Sequence, residues 1–393
     1  MSIIDAIKEH VRQLSVVIGP RGSTTEEERK AADYAESVYR EIGLSPLREH
    51  FTSAKSAWYP FALGTLLMLL AETAYWFFAF IGAVLASIIA VIALLSLVLE
   101  LSFKSNPFRW ILPKGQSQNV SAAIEPTGEV KQVIVLVGHI DTHRMPITHR
   151  SLRWLSFFKR LTTATFLSGV LMLVLFVLSL FFDWVVLRML TLLFSIPLLL
   201  LFLMAVSADR TSFSSGANDN ASGAAIVLGL AARLAEAPLS HTKVWAVNCG
   251  CEEVGSYGAA AWVDSHIDEL DGAIYLTLDN VGGMEASPCY LTKETLIIPF
   301  ASDIDLVRLA DQVSRDNPTL GAYSTEMRGA YTDGAIGIKA GLRCLTFVGY
   351  RQDGVIPNWH QPSDIFENVD WDVVKRTEEF VWLLIEALDG IST

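Results

Sequence analysis

Gly216-Ala-Asn-Asp-Asn-Ala-Ser-Gly223 is the stretch on which the reading of this chain turns. Taken alone, Asp219 is a turn residue or a helix N-cap. Gly, Asn and Ser are what turns and caps use, and Ala224 to Ala235 reads as the helix that would follow. Its surroundings change that. His139, in Gly138-His-Ile-Asp-Thr142, ends an apolar run before it. Glu252 and Glu253, Asp279 and His360 come after it, each at the edge of a β-like run. Two histidines and several carboxylates at strand ends are the ingredients of a two-metal site.

The bulk composition narrows the class. At 393 residues the chain has room for two average domains or one large domain with insertions. Hydrophobic residues make up 51% and the mean hydropathy is +0.38. That excess lies in two blocks, which points to membrane spans rather than to a greasy core. A net charge of −12 argues against nucleic acid as a partner, since phosphate binding wants a basic face. Cys249, Cys251, Cys289 and Cys344 form no zinc-ribbon spacing and read as buried free thiols, which suit a reducing compartment. The N-terminus lacks the basic and apolar regions of a cleavable signal peptide.

The soluble parts read as a catalytic domain in three pieces, residues 1–57, 104–162 and 208–393. Helices are expected over residues 1–18, from a capping box at Ser23-Thr-Thr-Glu26 to Glu41, and over 224–235. Strands are expected over 46–52, 118–124, 132–137, 242–248, 272–278 and 343–348, with a hairpin turn at Pro126-Thr-Gly-Glu-Val130. Helices are expected again at 306–313 and 372–388. The apolar blocks, 58–103 and 163–207, are each long enough for two helices of about 20 residues, the length that crosses a ~30 Å hydrocarbon core. Glu72, Tyr75 and Trp76 mark the expected turn of the first, and Asp183, Trp184 and Arg188 that of the second. Basic flanks (Lys104, Arg109, Arg150, Arg153, Lys159, Arg210) place the soluble parts on the cytoplasmic side by the positive-inside rule.

Each candidate ligand has an ordinary explanation by itself. His139 could be a satisfied polar residue. Glu252-Glu253 could be favourable charge at a helix start. Asp279 could be a turn residue, and His360 a structural one. All of them falling at strand ends, where open α/β sheets build their sites, favours a shared role. Asp141, two residues from His139, could hold that imidazole from behind. Of two adjacent carboxylates, one can bind a metal while the other serves as a base. Mixed His and carboxylate donors suit zinc, with cobalt or manganese as substitutes.

These motifs, with Cys251-Glu-Glu-Val-Gly-Ser-Tyr-Gly258, Leu278-Asp-Asn-Val-Gly282 and Trp359-His-Gln-Pro-Ser-Asp364, resemble those of the co-catalytic two-zinc exopeptidases. These include the bacterial leucyl aminopeptidases and glutamate carboxypeptidase. The resemblance covers most of the chain outside the apolar blocks. It implies an α/β fold with a mixed central sheet flanked by helices, here interrupted by two inserted helical hairpins. It also implies two zinc ions: His139 and Asp279 on one, Glu253 and His360 on the other, and Asp219 bridging. Glu252 becomes the general base and Asp141 the support of His139. Relatives often carry a tyrosine near the last histidine, whereas Asn358 and Trp359 stand here. Tyr331 and Tyr350 are candidates for that contact with substrate or oxyanion.

The functional expectation is therefore a membrane-embedded metallopeptidase, aminopeptidase first, acting on peptides. An amidohydrolase for N-acyl or amphiphilic amides is the alternative, and a non-catalytic membrane receptor or scaffold the third. Four spans in the lipid bilayer would anchor the domain. If strands one, two and three form a meander, both hairpins leave from the edge where His139 sits, and the metal site faces the membrane.

Overall fold

The computed structural model describes residues 2–391. In chain order the elements are α1 (Ile3–Arg12), α2 (Glu26–Glu41), β1 (Leu47–Ala54), α3 (Tyr59–Phe77), α4 (Ala79–Glu100), α5 (Phe108–Ile111), β2 (Lys114–Ile124) and β3 (Gln132–His139). Then come α6 (Leu152–Leu178), α7 (Val185–Asp209), α8 (Gly223–Glu236), β4 (Thr242–Cys249), α9 (Tyr257–His266), β5 (Ile274–Asp279), β6 (Ser287–Thr295) and β7 (Pro299–Ala301). The chain ends with α10 (Ile304–Asp316), β8 (Tyr323–Arg328), α11 (Asp333–Lys339), β9 (Arg343–Tyr350) and α12 (Trp371–Ile391).

Two compact units result. One comprises residues 1–55, 114–144 and 213–393; the other comprises 56–113 and 145–212. In the first, the strands form one mixed sheet of order β1-β2-β4-β3-β5-β9-β6-β7, with β8 on β6. The central four, β4, β3, β5 and β9, are parallel. Parallel strands covered on both faces need apolar runs rather than alternation. Val133 to Val137, Val244 to Val247 and Leu345 to Val348 supply them, and nearly all are buried.

The expected meander is not there. β4 lies between β2 and β3. Residues 125–131 are not a hairpin turn but a loop that crosses the start of β4. Along the way Thr127, Gly128 and Lys131 donate to the carbonyls of Leu239, Ser240 and His241. The helical crossover through α8 then makes β4 a parallel neighbour of β3. Even so, β1 runs in the same direction as β3, since β2 is antiparallel to both β1 and β4.

Both breaks in this unit are closed by antiparallel pairs. Ala54 faces Lys114 at the open end of the β1–β2 pair. Arg144 bridges Phe213, and Ser214 N donates to His143 O at 2.9 Å. The catalytic-type unit is thus knitted across each interruption, and the inserted segments leave it from a two-stranded stem.

In the second unit, α3, α4, α6 and α7 are each long and apolar enough to cross a membrane. Their inward faces carry small residues, Ala71, Ala83, Ala86, Ala90 and Ala93, packed with Met68, Met172 and Phe176. Their outward faces carry Leu85, Ile88, Leu95, Leu171, Leu193 and Leu203. Small residues inside and large apolar ones outside is how helices pack when lipid is the solvent. The unit reaches beyond the apolar blocks, because α6 begins at Leu152 and α5 packs Phe108 into the helices. Glu72 is not at a turn. It lies inside α3, buried, and Ser195 of α7 donates to it. The turn comes at Phe78, after Tyr75 and Trp76.

Close approach of α8 to the sheet demands glycine. A Cβ on Gly223 would stand 2.3 Å from Leu278 O and 2.4 Å from Asn220 Oδ1. Gly223→Ala is expected to destabilise the soluble unit by about 1–3 kcal/mol, the usual cost of overpacking. A thermal melt of purified protein checks this, and an unchanged midpoint would contradict the packing.

Candidate metal centre

The site stands at the carboxyl ends of the parallel strands. The β3–β5 register pairs Val137 with Thr277, so His139 and Asp279 end their strands side by side. Asp219 arrives from the irregular turn Ala217–Ser222, in which its own φ and ψ are not helical. That turn is held from three sides. Asp364 accepts from Asn218 N at 2.6 Å and Asp219 N at 3.1 Å. The buried guanidinium of Arg21 donates to Ser215 O at 2.6 Å and Gly216 O at 2.7 Å. Gly216 has φ +57°, and a Cβ there would lie 2.3 Å from Thr142 Cγ2. Only glycine fits.

Glu252 and Glu253 follow Cys251, whose φ is +56°. Asp141 accepts from both of their backbone amides, at 3.0 and 3.2 Å, and from Ser23 Oγ at 2.6 Å. Glu28 accepts from Cys251 N at 2.9 Å. The N-terminal signal was real but shifted: Thr25 caps α2 through Glu28 N, and Glu28 takes the Thr24 amide. Glu28 therefore serves both the helix start and the Glu252 loop. His360 lies in a turn at φ +54°, with Trp359 tilted on one side and His143 stacked on it at 3.8 Å.

The side chains converge. His139 Nε2 lies 3.4 Å from Asp219 Oδ1 and 3.5 Å from Asp279 Oδ1. His360 Nε2 lies 3.2 Å from Asp219 Oδ2 and 3.2 Å from Glu253 Oε2. Glu252 Oε2 stands 3.9 Å from His139 Nε2, too far for a hydrogen bond. Donors about 2.1 Å from a common tetrahedral centre are separated by about 3.4 Å, so these spacings fit a shared cation. Direct charge-assisted hydrogen bonds would be shorter, about 2.7–2.9 Å. Buried atoms support the same reading: His139 Nε2, Asp219 Oδ2 and Glu253 Oε1 make no well-formed hydrogen bond within the protein. On the far side of its ring, His139 Nδ1 is 3.2 Å from Asp141 O, which fixes the imidazole from behind.

The electrostatics follow from burial. Burial pushes the Glu253 carboxyl up to about 8, helped by Asp219. It also pushes Glu252 well above the usual carboxylate range, against the pull of His139. Asp219 moves the other way: burial opposes its charge, but His139 and His360 outweigh it and hold the carboxyl low. Burial would lower both imidazoles. Instead, Glu253 and Asp219 raise His360 to about 10, and Asp141, Asp219 and Asp279 hold His139 well above its ordinary value.

The two candidate tyrosines have partners of their own. Tyr331 Oη accepts from Ile297 N and Ile298 N and donates to Ile298 O at the β6–β7 tip. Tyr350, the last residue of β9, packs with Cys289, Leu291 and Met327 and lies within electrostatic reach of Asp279. Arg328, Arg343 and Arg351 pair with their neighbours Glu326, Asp303 and Asp353. All four cysteines are free and buried. The residues that sequence reasoning did not single out are Arg21, Glu28, His143, Asp333 and Asp364. Of these, only Asp364 had a local signal, its place in the Trp359–Asp364 motif.

Zinc takes neutral imidazole. With both histidines raised, the metal-free centre is protonated at pH 7, and loading it is expected to release at least one proton per chain. Calorimetric zinc titrations in buffers of different ionisation enthalpy measure this, and zero net release would contradict the arrangement.

Residues 203–385 match the model of peptidase family M28. No curated protein matches the chain in sequence. Among solved structures, the chain is similar to a zinc aminopeptidase from Bacillus subtilis, with a TM-score of 0.59 and 14% identity over 98% of this chain and 95% of that one. A glutaminyl cyclase from Tannerella forsythia gives 0.57 and 15% over 98% of each chain. A leucine aminopeptidase precursor from Bacteroides thetaiotaomicron gives 0.57 and 14% over 98% and 96%. Residues 203–385 thus carry a peptidase family M28 domain, and the mixed sheet has the fold of the zinc aminopeptidases.

Proposed function

We propose that this zinc exopeptidase is a membrane-anchored di-zinc aminopeptidase. The observation that carries the reading is Asp219, whose two carboxylate oxygens face one imidazole each. On this reading His139 and Asp279 hold one ion, Glu253 and His360 the other, and Asp219 joins them. Zinc bound there supplies Lewis acidity and an activated water.

The chain's own groups do the rest. Glu252 is the proton carrier. Its Oε2 is too far from His139 for a hydrogen bond, and burial raises its carboxyl well above the usual carboxylate range. It takes a proton from water and returns it to the leaving amine. Asp141 keeps His139 oriented and anchors the Glu252–Glu253 backbone. The surplus of buried carboxylate favours a cationic group, the free amine of a peptide. The arginines that could have received a free carboxylate have local acidic partners instead. This supports aminopeptidase over carboxypeptidase action.

The hairpins α3–α4 and α6–α7 supply the anchor. The basic residues beside them favour a cytoplasmic catalytic unit. β1 runs towards the same sheet edge at which β3 ends in His139, so the first insertion leaves the sheet from that edge.

Glu252→Gln is expected to lower turnover by about 10²–10⁴-fold with zinc content unchanged; full activity would reject the base. In detergent, an unblocked peptide is expected to be cleaved in preference to its N-acyl form. The reverse preference would make the protein an amidase, and cleavage of neither would favour a scaffold. The protein is expected to stay in the membrane pellet at alkaline pH and to enter solution only with detergent.

A further inference from the structure

We propose that His143 is a positioning residue for His360, and that it thereby sets how tightly the Glu253–His360 half of the centre holds its ion. The proposal rests on the two-metal reading above.

His143 lies four residues beyond His139, and it was not expected in the site. One nitrogen of His143, one of His360 and an oxygen of Glu253 all lie within 4.8 Å of one another, which is close enough for a common ion. Two roles could follow: a further ligand, or a support. Ring geometry separates them. The His143 and His360 rings are stacked, 3.8 Å between centroids and 15° between planes. An imidazole binds a metal along a lone pair in the plane of its ring. Two nearly parallel rings one stacking distance apart cannot both contain the same ion in their planes. His143 therefore supports His360 by its face rather than joining it as a donor.

The support is itself fixed. His143 Nδ1 lies 2.6 Å from Arg144 O, which accepts its proton. His143 O accepts from Ser214 N at 2.9 Å. Arg144 is bridged to Phe213, with its guanidinium 4.3 Å over that ring. Phe213 in turn fills the space beside Gly22, where a Cβ would meet the ring at 2.2 Å. His143 is thus one residue inside the stem that closes the second insertion. His360 also meets Trp359, tilted by 40° with 4.7 Å between ring centroids. The His360 ring thus touches two aromatic rings and sits in a backbone turn of positive φ. Without the His143 face, that ring is free to leave its metal-facing orientation.

The test uses the full chain in detergent. Zinc retention is measured against increasing chelator, with the visible spectrum of the cobalt-loaded protein as a second readout. Wild type is expected to hold two ions. His143→Ala is expected to lose one of them about 10–100-fold more readily, the usual cost of removing a ligand's support. His143→Phe keeps the stacked face but has no donor nitrogen. It is expected to retain both ions close to wild type, with an unchanged cobalt spectrum. The ion on the His139 side, kept in both variants, reports an intact fold. Equal loss in the Ala and Phe variants would overturn the proposal in favour of a ligand role, and wild-type retention in His143→Ala would overturn it outright. A wild-type chain that holds a single ion would instead remove the two-metal reading, and this proposal with it.

Discussion

The carboxylate of Asp219, buried between two imidazoles, sets the terms for the rest of the molecule. A charge removed from water must be matched nearby, or folding loses several kcal/mol. Around Asp219 the protein buries Asp141, Glu252, Glu253, Asp279, Asp333 and Asp364 as well. The fixed cation set against them is Arg21, itself fully buried and within electrostatic reach of Asp364, Asp141, Asp219 and Glu253. One guanidinium and two protonated histidines cannot balance so many acids. Metal-free, the centre holds protons instead: burial keeps Glu253 near 8, Asp364 near 7 and Asp333 near 7. Divalent cations would replace those protons. The acidity of the site and its appetite for zinc are one property.

That requirement explains why so many backbone amides point inward. Asp141 and Asp364 each take two main-chain donors, and Glu28 takes the Thr24 and Cys251 amides. Acidic groups used this way are solvated by peptide dipoles and fix three loops at once. It also explains how the chain tolerates two long interruptions. Each is closed by an antiparallel pair within the soluble unit, so the loops that carry His139 and Asp219 need no help from the inserted helices to keep their register.

The sequence was most legible where a ligand follows a strongly apolar strand. Val133–Val137 leading to His139, and Ile274–Leu278 leading to Asp279, are short parallel strands whose burial writes itself into composition. The Thr25–Glu28 cap was displaced by two residues because Ser23 and Glu26 offer the same spacing, and only tertiary contact with Cys251 selects Glu28. β6, β7 and β8 left little signal: Tyr323–Arg328 is largely exposed and polar, and its pairing with β6 is a long-range choice. The position of β4 between β2 and β3 depends on which edge a crossover helix returns to. Glu72 misled for the same reason. A carboxylate in an apolar segment belongs at a membrane interface unless it has a partner, and its partner, Ser195, is 123 residues away.

The fold by itself does not fix the reaction, since zinc aminopeptidases and a glutaminyl cyclase share it with this chain at similar TM-scores. On the proposed reading, what narrows the chemistry is a division of labour within a single dipeptide. Glu253 Oε2 lies 3.2 Å from His360 Nε2, while Glu252 Oε2 stands 3.9 Å from His139 Nε2. An oxygen of each lies within 4.8 Å of the other and of a His139 nitrogen, and on the proposed reading one binds while the other carries a proton. Asp141 fixes the backbone of the pair by accepting both of its amides with one carboxylate, at 3.0 and 3.2 Å. A hydrolase needs a base beside its metal donors that is not consumed by them. On the proposed reading that base is Glu252, 3.9 Å from His139 Nε2, with burial holding its carboxyl well above the usual carboxylate range.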